Sequence, residues 1–244
     1  MIIKDILFKI KEDLKKLFIY PAALWGSNGK IDYDIYWEKR RGKNQDFQLS
    51  AWQKQRAELV LPFLERGDVV VDIGGGEGAM LKFWRTQRKI KGVCVDMNDV
   101  VLNQAREKGF DVVKVDLLVV ENWSQIPACD YLTGFEILEH LPNPEEFILT
   151  MSGRARKGMI FSFPNTGYYL HRLRLLLGRF PLQWVVHPGE HLRFWTIADT
   201  RSWVKALGLK IEALIAYEGI PVINKLWPAM FSQGIIIYIK RHDQ

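Results

Sequence analysis

The chain has 244 residues, of which 48% are hydrophobic and 25% are charged. This length and composition are typical of a large α/β domain with added segments, and they exclude a disordered, fibrous or disulfide-rich chain. The net charge is +6, but the basic residues are scattered, so a nucleic-acid partner is not indicated. No stretch is apolar for long enough to cross a bilayer, and we expect a cytoplasmic protein.

Residues 1–19 alternate apolar and basic residues at helical spacing and predict an amphipathic helix. One side carries apolar residues and the other carries Lys4, Lys11 and Lys15. The apolar residues are Ile3, Ile6, Leu7, Ile10, Leu14 and Leu17. Two interpretations are open. The helix packs its apolar side on the domain, or it lies on a membrane surface or over a lipid-like substrate.

Further along the chain, apolar runs alternate with helical segments, and this alternation predicts a parallel, doubly wound α/β sheet. The predicted strands are Val69–Val71, Ile90–Asp96, Phe110–Asp116, Ala128–Gly134, Gly158–Phe163, Lys210–Tyr217 and Gly234–Lys240.

The alternation breaks after the fifth predicted strand, at Pro164. Residues 164–192 are too long for a plain connection, and they contain an amphipathic stretch at residues 168–177 and several arginines and histidines. We predict that they form an insertion over the mouth of the site. The expected organisation is an N-terminal helical or cap segment at 1–50 and a main domain at 51–244 that carries this insertion.

The first predicted strand ends in a glycine-rich turn, Asp72-Ile-Gly-Gly-Gly-Glu-Gly78, and a helix is predicted to begin at Ala79. Gly74, Gly76 and Gly78 allow the backbone to turn sharply and to approach a ligand closely. The N-terminal amides of the following helix would point at that ligand. The turn therefore predicts a nucleotide-type binding loop.

Two cofactors compete for this turn. The spacing Gly74-x-Gly76-x-x-Ala79 fits the nicotinamide dinucleotide fingerprint, and Asp96 lies at a suitable distance to hold a ribose. However, Asp72 would place a carboxylate next to a pyrophosphate, and two anions repel strongly in a low-dielectric pocket. S-adenosylmethionine carries an ammonium and a sulfonium and no phosphate, so Asp72 favours S-adenosylmethionine.

Acidic residues also follow the later predicted strands, where ligands of such sheets bind. We predict that Asp96 accepts hydrogen bonds from both ribose hydroxyls and that Asp116 accepts one from the adenine amino group. Met97 and Leu117 would lie against the faces of the adenine ring. Glu136, just past the fourth predicted strand, joins the same group of site acids.

Taken in order, these motifs resemble class I S-adenosylmethionine-dependent methyltransferases. The residues that carry the resemblance are Asp72-Ile-Gly-Gly-Gly-Glu-Gly78, Val95-Asp96, Val115-Asp116, Phe135-Glu-Ile-Leu-Glu-His-Leu-Pro-Asn-Pro144 and His191-Leu-Arg-Phe-Trp-Thr196. The resemblance implies a Rossmann-like, seven-stranded, mostly parallel sheet with an antiparallel last strand. It also implies S-adenosylmethionine as the cofactor, and it adds Phe135 and Glu136 to the cofactor-binding residues.

A narrower resemblance is to MetW-like methyltransferases. The motifs that carry it are Phe161-Ser-Phe-Pro-Asn-Thr-Gly167 and Arg174-Leu-Leu-Leu-Gly-Arg-Phe-Pro181. The chain differs from that group at residues 136–144 and 187–191.

Methyl transfer is an in-line displacement in which positioning supplies much of the rate, and a base is needed only when the acceptor is protonated. The candidate bases are His140, after the fourth predicted strand, and His187 and His191. Each has a structural interpretation as well, as a capping or core residue for His140 and as loop structure for the other two. No third ligand stands near the two later histidines, so no metal site is predicted.

The expected activity is methylation of a small-molecule acceptor at oxygen or nitrogen. Basic residues in both accessory segments suggest an anionic or lipid-linked acceptor, and residues 1–19 offer a peripheral membrane contact. Two alternatives stay open: a protein that binds S-adenosylmethionine as a non-catalytic partner, and an NAD-binding oxidoreductase.

Overall fold

The computed structural model describes residues 2–19, 49–183 and 191–241. These residues form two compact units. The first, called the sheet unit, comprises residues 49–163, 201–215 and 236–241. The second, called the helical unit, comprises residues 2–19, 164–183, 191–200 and 216–235.

The strands lie close to their predicted positions. They are β1 (Val69–Ile73), β2 (Lys91–Asp96), β3 (Asp111–Lys114), β4 (Cys129–Phe135), β5 (Ala155–Pro164), β6 (Leu209–Tyr217) and β7 (Gly234–Arg241). They form one seven-stranded sheet in the order β3-β2-β1-β4-β5-β7-β6, with an antiparallel last strand. The predicted α/β, Rossmann-like fold is therefore confirmed.

The helices of the described residues are α1 (Ile2–Lys15), α2 (Ala51–Val60), α3 (Ala79–Arg88), α4 (Asp99–Glu107), α5 (Pro144–Ser152), α6 (Tyr169–Leu176), α7 (Ile197–Ala206), α8 (Ile223–Leu226) and α9 (Pro228–Phe231). Short 3-10 turns lie at Leu61–Phe63, Val120–Gln125 and Leu138–His140. Among the described residues, none of these helices has the length and apolar character needed to span a membrane.

Strand β1 lies at the centre of the parallel part of the sheet, between β2 and β4. In this register Asp72 stands opposite Cys94 on one side and Thr133 on the other. Because the strands are parallel, their carboxyl ends meet at one edge of the sheet. The chain reverses its winding at β1, and in such sheets this point is where ligands bind.

The core of the sheet unit forms because β1 and its neighbours are apolar on both faces. Val70 and Ile73 are fully buried, as expected for a parallel strand covered by helices. Helix α3 buries Leu81 and Trp84. The Trp84 indole donates a hydrogen bond of 2.9 Å to the carbonyl of Ala57 in α2, which fixes these two helices to each other.

The helical unit joins α1 to the segment that follows β5 through a buried carboxylate. Asp13 of α1 is fully buried. It accepts hydrogen bonds from the hydroxyls of Tyr168, at 2.5 Å, and Tyr169, at 3.2 Å, and Lys9 pairs with it at 3.0 Å. Burial and this carboxylate raise the pKa of both tyrosines.

A second polar link closes the end of α1. The buried guanidinium of Arg174 in α6 donates to backbone carbonyls of the chain around it. Its acceptors are the carbonyls of Lys16, Leu17, Ile19 and Phe180, at 2.6, 2.7, 3.2 and 2.9 Å. These carbonyls would otherwise lack partners at a helix end, and Arg174 satisfies them.

The first interpretation of residues 1–19, with the apolar side packed inward, holds for half of that side, since Leu17 is buried and Ile6 and Ile10 are half-buried. Ile3, Leu7 and Leu14 are 72%, 61% and 45% exposed. Helix α1 instead turns Asp13 inward, because the tyrosines of the insertion supply hydroxyl donors there. Only Leu17, just after the helix, joins a small apolar cluster with Tyr168.

Candidate cofactor site at the carboxyl ends of the strands

The glycine turn between β1 and α3 has a backbone that only glycine adopts without strain. Gly74, Gly76 and Gly78 have φ angles of 65°, 55° and 72°. A Cβ at Gly74 would lie 2.3 Å from Cδ1 of Ile137, whereas one at Gly76 would contact nothing within 4 Å. The turn is also tied to β2, since the amide of Gly74 donates to the carbonyl of Val95 at 2.8 Å.

Asp72 lies beneath this turn and is only 3% exposed. The hydroxyl of Thr133 on β4 donates a hydrogen bond of 2.7 Å to its Oδ1. Burial raises the pKa of Asp72 to about 7; the Thr133 hydrogen bond opposes this rise, and the charge of Asp96 adds to it. A buried carboxyl with such a pKa is stabilised as an anion by a cationic partner and destabilised by an anionic one.

Asp96 ends β2 and lies next to the turn. Its two oxygens accept hydrogen bonds from the amides of Gly76, at 3.1 Å, and Asn98, at 3.0 Å. Asn98 in turn caps the first amides of α4. The carboxylate is therefore held in a fixed orientation by backbone donors.

The predicted adenine contacts lie one strand further out. The amide of Val115 donates to the carbonyl of Asp96 at 3.0 Å, which places the end of β3 beside the end of β2. Asp116 is half-buried and accepts from the amide of Leu118 at 2.9 Å. Leu117 is half-buried, and Met97 is 54% exposed. The structure thus brings the three predicted strand-end acids to one edge.

Glu136 follows β4 with a φ of 58°, an uncommon conformation for a residue that is not glycine. Its Oε1 is 3.2 Å from the guanidinium of Arg56 and accepts from the Ser162 hydroxyl at 2.9 Å. Arg56 is buried, and its guanidinium lies 5.9 Å from the centroid of the Phe135 ring. Sequence reasoning had not connected Arg56 or Ser162 with the predicted Phe135–Glu136 pair.

Thr133 and Glu139 were also missed. Thr133 is a lone hydroxyl inside an apolar strand, which is a weak signal for a partner across the sheet. Glu139 is fully buried, and burial together with the nearby Glu136 raises its pKa well above the ordinary value. Burial and Glu136 thus favour the protonated form of Glu139 over its carboxylate.

The three candidate bases differ in how the structure places them. His140 is half-buried at the end of the 3-10 turn after β4, and its amide donates to the carbonyl of Ile137 at 3.0 Å. It belongs to the sheet unit, at the carboxyl end of the sheet. His191 is half-buried in the helical unit, and His187 lies outside the described residues.

The fold and the strand-end acids define the class of this protein: a class I methyltransferase, the class whose cofactor is S-adenosylmethionine. The chain belongs to the MetW family, since the family model described as "Methionine biosynthesis protein MetW" matches residues 54–239. Both the wider and the narrower resemblance are thereby confirmed. The family also decides between the two cofactors of the glycine turn, in favour of S-adenosylmethionine.

Several characterised relatives match most of the chain. A ubiquinone biosynthesis O-methyltransferase of Aeromonas salmonicida is 27% identical over 168 residues, covering 65% of this chain and 70% of that protein. A bifunctional methionine biosynthesis protein MetXA/MetW of Rhodopirellula baltica is 27% identical over 184 residues, which is 66% of this chain. The match spans only 28% of that longer protein.

Solved structures share the fold at low sequence identity. A magnesium protoporphyrin IX methyltransferase from Synechocystis PCC 6803 with bound SAH is 17% identical, with a TM-score of 0.58 over 86% of this chain and 94% of that chain. A SAM-dependent methyltransferase from Archaeoglobus fulgidus is 20% identical, with a TM-score of 0.58 over 84% of this chain and 99% of that chain.

Proposed function

We propose that this protein transfers the methyl group of S-adenosylmethionine to the oxygen of a lipid-linked small molecule. The main support for this cofactor comes from Asp72, a buried carboxyl beneath a glycine turn. Because burial disfavours its charged form, a cationic partner would stabilise it. An ammonium group is such a partner, and a pyrophosphate is not. The residues present therefore fit this cofactor.

In this proposal each site residue binds a different part of the cofactor. Asp72 accepts from the ammonium, and Asp96, already oriented by two backbone amides, accepts from the ribose hydroxyls. Asp116 accepts from the adenine amino group, with Met97 and Leu117 against the ring. Gly74, Gly76 and Gly78 allow the backbone to lie close to the ligand. Phe135 and Glu136 complete this set, with Glu136 held by Arg56.

When bound, the cofactor supplies a methyl group on a positively charged sulfur. The acceptor oxygen forms a bond to that carbon as the carbon–sulfur bond breaks, leaving S-adenosylhomocysteine, and the acceptor proton must pass to a base. We assign that proton to His140, the candidate base that lies at the carboxyl end of the sheet within the sheet unit. Most of the rate comes from positioning the two reactants.

The acceptor class is argued from two observations. The sequence suggested an anionic acceptor from basic residues of the insertion, but Arg172, Arg174 and Arg179 donate to backbone carbonyls of the helical unit itself. These arginines therefore give less support for an anionic acceptor than the sequence suggested. Relatives named for ubiquinone biosynthesis favour a lipid-linked acceptor.

The test has two stages. Calorimetry of the whole chain with S-adenosylmethionine and with NAD should show binding of the first alone. Release of S-adenosylhomocysteine is then measured with a panel of phenols, each offered with and without an isoprenoid tail. Faster turnover of the tailed compounds supports the proposal, and turnover of the tail-free compounds alone contradicts the lipid-linked acceptor.

The role of His140 is tested with His140→Ala and the control variant Lys82→Ala, at an exposed position of α3. We expect the first to lower kcat by about a hundredfold or more with the affinity for S-adenosylmethionine unchanged, as for loss of a general base. The second should keep most of kcat. If the two variants lose kcat equally, His140 is not the base.

A second candidate function follows from the relative that combines MetXA and MetW in one chain. In this alternative the chain binds S-adenosylmethionine and acts as a partner of a methionine biosynthesis enzyme. Cofactor binding without turnover of any acceptor, together with a change in the activity of such an enzyme when this chain is added, would favour the alternative.

A further inference from the structure

Helix α1 buries a carboxylate on its inward side, between the half-buried Ile6 and Ile10 and the buried Leu17 that follows the helix. The one residue that it buries completely is Asp13, a carboxylate, and its attachment relies on hydrogen bonds from Tyr168 and Tyr169. Arg174 holds the end of the segment through backbone carbonyls. Polar contacts therefore hold this helix to the helical unit together with only a few apolar side chains, those of Ile6, Ile10 and Leu17.

Most of the large apolar residues of the segment are exposed to solvent. Ile3, Leu7 and Leu14 follow one another at spacings of four and seven, so they share one face of the helix. All of the following large apolar residues of residues 2–19 are exposed: Ile2, Ile3, Leu7, Phe8, Leu14, Phe18 and Ile19.

A row of lysines borders this face. Lys4, Lys11 and Lys15, at spacings of seven and four, lie one residue after Ile3, Ile10 and Leu14, and all three are exposed. Lys15 also pairs with Glu12 at 2.5 Å, so Lys4 and Lys11 supply most of the available charge. An adjacent row of lysines beside an apolar face is the arrangement with which a helix lies in the headgroup region of an anionic membrane.

The exposed apolar surface continues through contacts inside the helical unit. Arg179 donates to the carbonyl of Phe18 at 3.0 Å and lies over its ring at 5.4 Å. The next residue, Phe180, is 58% exposed, and Leu176 before it is 81% exposed. These residues bring a second set of apolar side chains next to the end of the α1 segment, again with a cation among them.

We propose that the α1 face, defined by Ile3, Leu7 and Leu14 with the lysine row beside it, docks the protein on the surface of an anionic lipid bilayer. The apolar row enters the boundary between headgroups and acyl chains, and the lysines contact lipid phosphates. The charge pattern favours this occupant over a second copy of the chain, because two such lysine rows repel each other.

The docking is tested by sedimentation of the whole chain with vesicles of phosphatidylcholine alone and with added phosphatidylglycerol. We expect binding to the anionic vesicles that weakens as salt is added, and little binding to the neutral ones. Equal binding to both kinds of vesicle, or to neither, overturns the proposal.

Two sets of variants locate the surface. Replacement of Ile3, Leu7 and Leu14 by Ser should reduce the partition coefficient roughly tenfold or more. The matched control replaces three exposed apolar residues of the sheet unit, Val100, Val120 and Leu149, by Ser and should leave binding unchanged. If both sets bind equally, the surface lies elsewhere and the proposal fails.

The charge is tested in the same way. Replacement of Lys4, Lys11 and Lys15 by Gln should lower binding to anionic vesicles several-fold, whereas the same change at Lys82, Lys91 and Lys205 of the sheet unit should not. Sedimentation equilibrium measures whether a second copy of the chain binds the α1 face instead. A dimer that the serine variant of α1 abolishes would show that a second copy covers this face, and would overturn the proposal.

This inference does not depend on the proposed methyl transfer. Vesicle binding is measured without cofactor or acceptor, and S-adenosylhomocysteine release is measured without vesicles, so one can fail while the other stands. The serine variant of α1 should bind S-adenosylmethionine as the wild type does, because none of its three residues belongs to the sheet unit.

Discussion

Helices α1 and α3 are similar in sequence character and differ in what they bury. Both combine apolar residues with lysines or arginines at helical spacing. Helix α3 buries Met80, Leu81 and Trp84, whereas α1 fully buries only Asp13 and leaves Ile3, Leu7 and Leu14 exposed. A helical pattern thus says which residues share a face, and the surroundings decide which face is turned inward.

The comparison is tested most strongly in α3, by Leu81→Ala. Leu81 is fully buried, and removing its side chain leaves a cavity that should cost about 3 kcal/mol of unfolding free energy. Urea denaturation measures the loss, with the exposed neighbour Lys82→Ala as the control. A cost below about 1 kcal/mol would mean that α3 is not anchored by its apolar face.

In α1 the corresponding anchor is polar, so Asp13→Ala should detach the helix. Two tyrosine hydroxyls would lose their buried acceptor, at a local cost of about 2 kcal/mol. Hydrogen exchange of the α1 amides should accelerate accordingly, while Asp5→Ala, at an exposed position of the same helix, should have little effect. Unchanged exchange in Asp13→Ala would contradict the polar anchor.

Asp72 is the buried acid of the sheet unit, and we expect it to serve the ligand rather than the fold. Asp72→Asn should weaken binding of S-adenosylmethionine by about 2 kcal/mol, because a charged hydrogen bond to the ammonium is lost. Calorimetry measures the change, with Asp111→Asn at the exposed start of β3 as the control. Equal affinity in both variants would place the ammonium elsewhere.

The pH dependence of stability gives a smaller effect at the same residue. The pKa of Asp72 is raised to about 7 in the folded protein, above the value of about 4 in an unfolded chain. Its stabilising contribution is therefore complete below pH 4 and lost as the pH rises through 7. Relative to Asp72→Asn, the wild type should lose about 1 kcal/mol or more between pH 5 and pH 8. Parallel denaturation curves at the two pH values would contradict the raised pKa.

The smallest effect is expected for Leu7→Ala. Leu7 is 61% exposed, so its loss should change the unfolding free energy by less than about 0.5 kcal/mol. A cost near that of Leu81→Ala would show that the apolar face of α1 is covered within the molecule. A change near zero in the unfolding free energy of Leu7→Ala, together with weaker vesicle binding, would strengthen the contrast between α1 and α3.

The sheet could be predicted because its strands are short, apolar and separated by clear turns, so that each residue pattern permits one structure. The acids Asp72, Asp96 and Asp116 could be placed because parallel strands bring their carboxyl ends to one edge. Thr133 and Arg56 could not, since their partners lie 61 and 80 residues away in the chain and no local pattern links them.

The burial of Asp13 in α1 could not be predicted for a related reason. The sequence of residues 1–19 specifies an amphipathic helix, but the donors that draw Asp13 inward are Tyr168 and Tyr169, which precede and begin α6. The insertion itself was predicted from its length. Its contact with α1 joins two segments that are distant in the chain, and the sequence of neither segment predicts that contact by itself.

The contact between α1 and the segment around α6 also affects the order in which the chain can fold. The bond between Asp13 and Tyr168 joins residues 155 positions apart, and the contacts of Arg174 with residues 16, 17 and 19 are as distant. Closing so large a loop is slow unless other structure brings its ends together. During synthesis α1 leaves the ribosome before α6, which follows only after β1 to β5. We expect the sheet to form before α1 packs in its final position, so that a helix made before the sheet is fixed after it.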